Sequence, residues 1–270
     1  MDDLATNQLK AEVKAFWNRQ SCDTEQAGSQ KFSREYFEEI EQFRYTTQPF
    51  IHSFAQFTRY HGKRVLEVGF GAGTDFIQWL RAGAIATGID LTEEGLANLT
   101  HRIKVYGLPE PERLQVGDAE QLTFQSNSFD LGYSWGVLHH TPDTEKAIGE
   151  LVRVVRPGGE IKIMLYNRYS LCAFHCWAKY ALLKGRPWKS LRWALWNHQE
   201  SIGTKAYTRT EVHRMLSALN LTDIRMEAFM MNTDGMIHKA PPIFHPLARS
   251  AVALMQSWFG WYLAISARKP

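Results

Sequence analysis

The residues able to do chemistry gather around one glycine-rich turn, Glu67-Val68-Gly69-Phe70-Gly71-Ala72-Gly73. Glycine admits backbone conformations and close approaches that a Cβ forbids, so such a turn lets ligand atoms reach the main chain. Two phosphate-binding patterns fail on it. A nicotinamide fingerprint, Gly-x-Gly-x-x-Gly, needs glycine where Thr74 stands, and the Gly-Lys-Ser/Thr of a phosphate-cradling loop is absent. Glu67 would repel a pyrophosphate but suits a cation. Asp90 follows Gly71 by 19 residues, close to the ~20 at which an acid meets ribose hydroxyls in such folds. Asp118 stands further on in VGDAE. Three carboxylates around a glycine turn fit a ligand carrying a ribose, a base and a positive charge, without phosphate.

GVLHHTPD supplies His139 and His140 as candidate bases, histidine being the side chain type suited to proton transfer near neutral pH; the alternative is a hydrogen bond within a loop. Arg44 and Tyr45 in QFRYTTQPFI, and Tyr166 in MLYNRYS, are candidates for contacting a second substrate. For Arg44 a structural salt bridge is an equal reading, and for Tyr166 a place at the core edge. Cys172, His175 and Cys176 share a helix face, but a tetrahedral site takes about four ligands and no second pair completes one, so no metal is expected.

The elements that must position these residues alternate. VLEV, AIATGID, RLQV, FDLGYSW and EIKIMLY are apolar runs that read as strands. TDFIQWLRAG, TEEGLANLTHRIKVYG and DTEKAIGELVRVV read as the helices between them, the last closed by Pro157-Gly158-Gly159. Such alternation predicts an α/β fold with a parallel sheet covered by helices on both faces. Residues 7–18 and 33–60 are expected to be helical, with Pro49 opening a new helix and a loop over 21–30. The pattern resumes with the helix TRTEVHRMLSALN and the strands LTDIRMEAFM and WYLAISARK.

In order and spacing, VLEVGFGAGTD, TGIDLT, VGDAEQLTF, FDLGYSWGVLHHTPD and RVVRPGGEIKIMLY resemble the successive motifs of class I S-adenosylmethionine-dependent methyltransferases. The resemblance covers about residues 64–166 and implies a Rossmann-like, seven-stranded sheet whose last strand is antiparallel. It implies S-adenosylmethionine as cofactor and S-adenosylhomocysteine as product. Glu67, Gly69, Gly71 and Gly73 would line that cofactor, Asp90 with Leu91 would hold its ribose, Asp118 and Ala119 would flank the adenine, and Ser134 and Trp135 would face the methionine part. The expected organisation is an N-terminal helical cover (1–60), a cofactor-binding core (61–169), an aromatic and basic helical cap (170–208) and the rest of the sheet (209–270).

Composition bounds the acceptor. Among 270 residues, 31 Lys and Arg face 28 Asp and Glu, and the net charge of +3 is too small to announce a nucleic-acid partner. The cap segment 170–198 is the exception, with five basic residues, four tryptophans and no acid. It suits a lid over a small apolar or aromatic acceptor, a membrane-surface helix serving a lipid or quinone precursor, or a solvated helix face. Three cysteines and an opening MDDLATNQLKAE argue against a secreted disulfide protein, and no apolar run reaches the ~18 residues of a membrane span, so a cytoplasmic enzyme is expected. The expected reaction is methyl transfer to oxygen or nitrogen of a small molecule; the alternative is a cofactor-binding module with a regulatory or scaffolding role. Thr74 and Glu67 disfavour a dehydrogenase.

Overall fold

In a computed structural model, residues 3–231 and 255–270 are described. Seven strands form one sheet in the order β3-β2-β1-β4-β5-β7-β6. They are β1 (Arg64–Val68), β2 (Ile85–Asp90), β3 (Arg113–Val116), β4 (Phe129–Trp135), β5 (Val155–Tyr166), β6 (Thr222–Phe229) and β7 (Tyr262–Arg268). The first five pair in parallel, and β7 runs antiparallel to both β5 and β6.

Period-2 alternation divides the strand side chains between two cores. On β5 and β7, Ile161, Ile163, Leu165, Leu263 and Ile265 face a cluster completed by α6 (Thr144–Val154) and α9 (Arg209–Ala218). Met164, Tyr166, Tyr262 and Ala264 point the other way, into a cluster with α3 (Phe50–Ala55), α4 (Phe76–Arg81), α5 (Glu93–Tyr106), α7 (Leu171–Tyr180) and α8 (Leu191–His198). The sheet is therefore covered on both faces. Two further helices are α1 (Asp3–Arg19) and α2 (Arg34–Thr47).

Most helix starts are fixed by short polar side chains. Ser33, Thr92, Ser170, Ser190 and Thr208 each accept a hydrogen bond from a first-turn amide, satisfying a donor that the helix leaves unpaired. Pro49 immediately precedes α3, and the segment 170–198 is helical in two pieces.

Three boundaries differ from the sequence pattern. Helix α1 begins earlier than residue 7, and the 21–30 loop contains a short 3-10 turn at Thr24–Gln26. Strand β5 begins before Pro157: Val155 already pairs with Phe129, and the next pair is Leu131 with Glu160, so Pro157, Gly158 and Gly159 form a bulge inside the strand. Part of the expected C-terminal region, 232–254, lies outside the described residues.

One of the ties between cap and core is a carboxylate. Glu211 on α9 meets Arg168, just after β5, at 2.7 Å and Arg192 of α8 at 2.5 Å, while closing a capping box with Thr208. Burial pushes its carboxyl up, but the Thr208 amide and Arg168 outweigh burial and hold it down at about 2. A depressed acid stabilises the fold above its unfolded value and loses that contribution as pH falls through its folded one. Glu211→Gln is therefore expected to lower stability at neutral pH and to flatten the acid limb between pH 4.5 and about 2, as read by urea unfolding across that range.

Candidate functional site

The chain runs from β1 outward to β2 and β3, then returns to the other side of β1 as β4, so the strand order reverses between β1 and β4. Beyond the carboxyl ends of strands at such a reversal an open crevice forms. Here it is a cavity of about 470 Å³.

Its floor is the glycine turn, in which Gly69, Gly71 and Gly73 all have positive φ, at 81°, 51° and 77°. The three do different work. A Cβ on Gly69 would lie 2.2 Å from Val137 Cγ2, and one on Gly73 would lie 2.6 Å from Leu99 Cδ1. A Cβ on Gly71 would meet only Cys22, at 3.9 Å, so the space over that residue opens into the cavity. The Gly71 amide donates to Asp90 Oδ2 at 2.8 Å, while Asp90 Oδ1 accepts from the amide and hydroxyl of Thr92 at 2.9 and 2.7 Å. Burial pushes the Asp90 carboxyl up, and these donors oppose the shift.

Gly69, Gly71, Asp90, Leu91, Asp118, Ala119, Trp135, His140, Arg44 and Tyr166 all line the cavity. Glu67, Gly73, Ser134, Tyr45 and His139 do not. For Glu67 the reason is strand parity: it shares the face of Val65, is buried, and accepts a 2.8 Å hydrogen bond from Trp79 Nε1. Burial first, then the charge of Asp75, drive its carboxyl well above the usual range. Ser134 is also turned inward, its hydroxyl donating to Val68 O at 2.8 Å and tying β4 to β1. Tyr45 donates to Thr74 O and reaches Asp75 Oδ1, both at 3.1 Å, bracing the turn from α2.

Arg44 lines the cavity and is also a structural salt bridge, 3.0 Å from Asp23 and 3.6 Å from Asp75; its Nε is buried without a hydrogen-bond partner. Asp118 meets Lys10 of α1 at 2.6 Å, and Lys10 also reaches Glu120 at 2.9 Å, so the N-terminal helix closes this side of the cavity. Burial pushes the Lys10 ammonium down, but the two carboxylates outweigh it and hold it above its usual value. Trp135 donates its indole N–H to Gln48 Oε1 at 2.8 Å.

The histidines part company. His139 is fully buried behind Tyr166, ring centroids 3.9 Å apart, and neither ring nitrogen makes a well-formed hydrogen bond. Burial, then His140 and Lys205, hold its pKa far below the usual imidazole value, so it stays neutral. His139 therefore cannot touch a ligand in the cavity as a base would have to. His140 does reach the cavity, with Nδ1 at 3.0 Å from both Ser201 Oγ and Thr204 Oγ1.

Two wall residues have no local signature in the sequence. Glu200 accepts the Tyr166 hydroxyl on both oxygens, at 2.9 and 3.0 Å, and lies 3.2 Å from His140 Nε2. It holds a left-handed backbone, φ 54°, just past the end of α8. Such a conformation costs a side-chain-bearing residue roughly 1–2 kcal/mol. Trp17 packs edge-on against His140 with centroids 5.2 Å apart. A positive φ and a carboxylate 34 residues from its partner are tertiary facts, invisible to periodicity. Among the described residues, five carboxylates line the cavity (Asp23, Glu25, Asp90, Asp118, Glu200) against the cations Lys10 and Arg44, so its wall favours positive charge. Cys172 lines the cavity, while Cys176 is buried against Ala194 O; among the described residues no group of His, Cys, Asp and Glu is arranged to hold a metal ion.

Residues 66–163 match the family model described as a methyltransferase domain. Over 103 residues the chain is 35% identical to a phosphatidylethanolamine N-methyltransferase of Cereibacter sphaeroides, covering 38% of this chain and 50% of that protein. It is 32% identical over 108 residues to a ubiquinone biosynthesis O-methyltransferase of Aromatoleum aromaticum, covering 40% and 45%. The matched region thus spans half or less of the length of these curated relatives. The fold is shared with phosphoethanolamine N-methyltransferase 2 of Haemonchus contortus, solved with phosphomonomethylethanolamine and S-adenosylhomocysteine. That structure superposes with a TM-score of 0.58 at 15% identity, over 96% of this chain and 60% of the other.

The glycine geometry gives a stability test. Gly71→Ala carries only the backbone penalty and is expected to cost about 1–2 kcal/mol. Gly69→Ala adds the collision with Val137 and is expected to cost about 2–5 kcal/mol. Denaturant unfolding of both should rank them in that order; equal losses would mean that Val137 yields freely.

Proposed function

We propose that this protein, whose residues 66–163 match a methyltransferase-domain family model, is a class I methyltransferase that transfers the methyl group of S-adenosylmethionine to oxygen or nitrogen of a small molecule. The observation that carries the reading is the contact of Asp90 with Gly71 at the strand-order reversal, beneath an open, acid-rich cavity. A phosphate-free, cationic nucleoside suits that cavity better than a dinucleotide does.

S-adenosylmethionine bound there would supply an activated methyl carbon, open to attack by an acceptor lone pair in line with the departing sulfur. Asp90, with Leu91 beside it, holds the ribose hydroxyls. Asp118 and Ala119 flank the adenine, and the bare backbone of Gly69 and Gly71 admits the sulfonium chain. Arg44, with its unpartnered Nε, meets the methionine carboxylate, and Trp135 walls the methyl end. Glu67, Gly73, Ser134 and Tyr45 act one layer behind, setting the shape of the turn. Tyr166 and His140 face the acceptor. The chain needs no nucleophile of its own; it positions, excludes water and accepts a proton where the acceptor has one to lose.

Calorimetric titration of the purified chain with S-adenosylmethionine and S-adenosylhomocysteine, with NADH as control, tests the reading. Micromolar binding of the first two is expected, weakened at least about tenfold in Asp90→Ala, which loses a charge-assisted contact. Folded protein that binds neither, or binds NADH as well, would sink it.

One observation favours an acceptor drawn from a membrane surface. Between α7 and α8, Leu183 is 79% and Trp188 75% exposed, alongside Lys184, Arg186 and Lys189. Apolar side chains beside lysines and arginines suit an anionic lipid interface. No described helix is long and apolar enough to cross a membrane. Sedimentation with vesicles containing phosphatidylserine is expected to capture the protein, and a Leu183→Ser/Trp188→Ser variant to lose most of that capture; equal capture of both would show that the tip does not insert.

A further inference from the structure

We propose that the methyl acceptor is an amine that enters as its ammonium ion, and that Glu200 is the carboxylate that seats it. The inference rests on the methyltransferase reading and assigns the acceptor end of the same cavity.

The position of Glu200 is the first argument. The donor half of the cavity lies over β3, β2 and β1, whereas Tyr166 ends β5, on the far side of β4. Glu200 is hydrogen-bonded to Tyr166, so it stands at the opposite end from Asp90 and Asp118. Its side chain is 33% exposed and lines the cavity.

The second argument is the hydrogen-bond order around it. Thr204 commits its hydroxyl proton to Ser201 O at 2.6 Å, so toward His140 Nδ1 it can only accept. Ser201 Oγ stands at the same 3.0 Å, so Nδ1 is enclosed by two hydroxyls whether or not it carries a proton. On the other side of the ring, Nε2 faces a Glu200 oxygen at 3.2 Å, off the line of an ideal hydrogen bond. A bare Nε2 would set a lone pair against a carboxylate, so Nε2 carries the proton. His140 therefore donates toward Glu200 and has no basic nitrogen open to a substrate. Two donors, Tyr166 and His140, aim one carboxylate into the cavity, and among the described residues no Lys or Arg forms a salt bridge with it. His140 and Tyr166 are positioning residues.

The third argument is the surrounding wall. Tyr166 stacks on Trp261 at 3.9 Å, and Trp17 stands across His140. Aromatic faces beside a carboxylate select a cation over a neutral alcohol of the same shape. Consistently, burial and then the charge of Glu200 push the Tyr166 phenol well above its usual value.

The ammonium would lose one proton through Glu200 to solvent. The freed nitrogen lone pair then forms the N–C bond while the C–S pair withdraws onto sulfur, giving a methylammonium and a neutral thioether.

The test uses 2-phenylethylamine and its neutral counterpart 2-phenylethanol, titrated calorimetrically into the full-length protein at neutral pH. The amine is expected to bind about tenfold more tightly than the alcohol, a preference typical of a charge-assisted contact. Glu200→Gln should erase the preference while S-adenosylmethionine affinity is retained. His140→Gln, which keeps an N–H donor, should retain more of the preference than His140→Leu. Equal binding of amine and alcohol, a preference that survives Glu200→Gln, or no amine binding by folded protein would each overturn the proposal. If S-adenosylmethionine still binds in those cases, only the acceptor assignment falls; if it does not, the methyltransferase reading falls first.

Discussion

The floor of the cavity depends on one buried carboxylate. Asp90 ends β2, yet it holds the amide of Gly71 in the turn that follows β1, and it fixes Thr92, the N-cap of α5. Three elements thereby meet at two oxygens. Burial disfavours the charge that makes this possible and prevails in raising the carboxyl, while the Thr92 and Gly71 donors oppose it by hydrogen-bonding the ionised form. Without that contact, Gly71 would have no recorded partner for its amide, and its left-handed backbone would lose a hydrogen bond that holds it.

A second layer stiffens the turn from outside. Arg102 of α5, fully buried, donates to Ala72 O and Thr74 Oγ1 on one side and to Phe37 O and Glu41 on the other, so one side chain joins α2, α5 and the turn. Burial pushes Glu41 up, but Arg81 and Arg102 outweigh it and hold its carboxyl below the usual range. Tyr45 and Tyr133 meet on Asp75 from α2 and β4. Rigidity in the floor contrasts with the roof, where α1 is held near the cavity by surface-accessible pairs such as Lys14 with Glu93.

What the sequence makes legible follows from range. The alternation of strands and helices, the Ser and Thr caps and the glycine turn depend on neighbours a few residues apart, and the fold class follows from them. Glu67 and Ser134 show the limit: their place beside the turn is readable, but parity sends their side chains behind the cavity wall. The pair His139 and His140 cannot be separated by type or spacing, since only the packing of Tyr166 and the 200–204 loop buries one and leaves the other at the wall. Lys10 reaches Asp118 across 108 positions and Glu200 reaches Tyr166 across 34, so neither contact leaves a mark in any local window.

The cavity's two ends also differ in ancestry along the chain. The turn, Asp90, Asp118 and Trp135 fall inside the segment 66–163 that matches the methyltransferase family, whereas Trp17, Tyr166, Glu200 and Trp261 fall outside it. The sheet face packed against α6 and α9 takes no part in the acceptor end. Inheritance can therefore act on two timetables. A duplicated gene could drift in the flanking segments, and so at Trp17, Tyr166, Glu200 and Trp261, while the glycine turn, Asp90 and Asp118 pass on untouched.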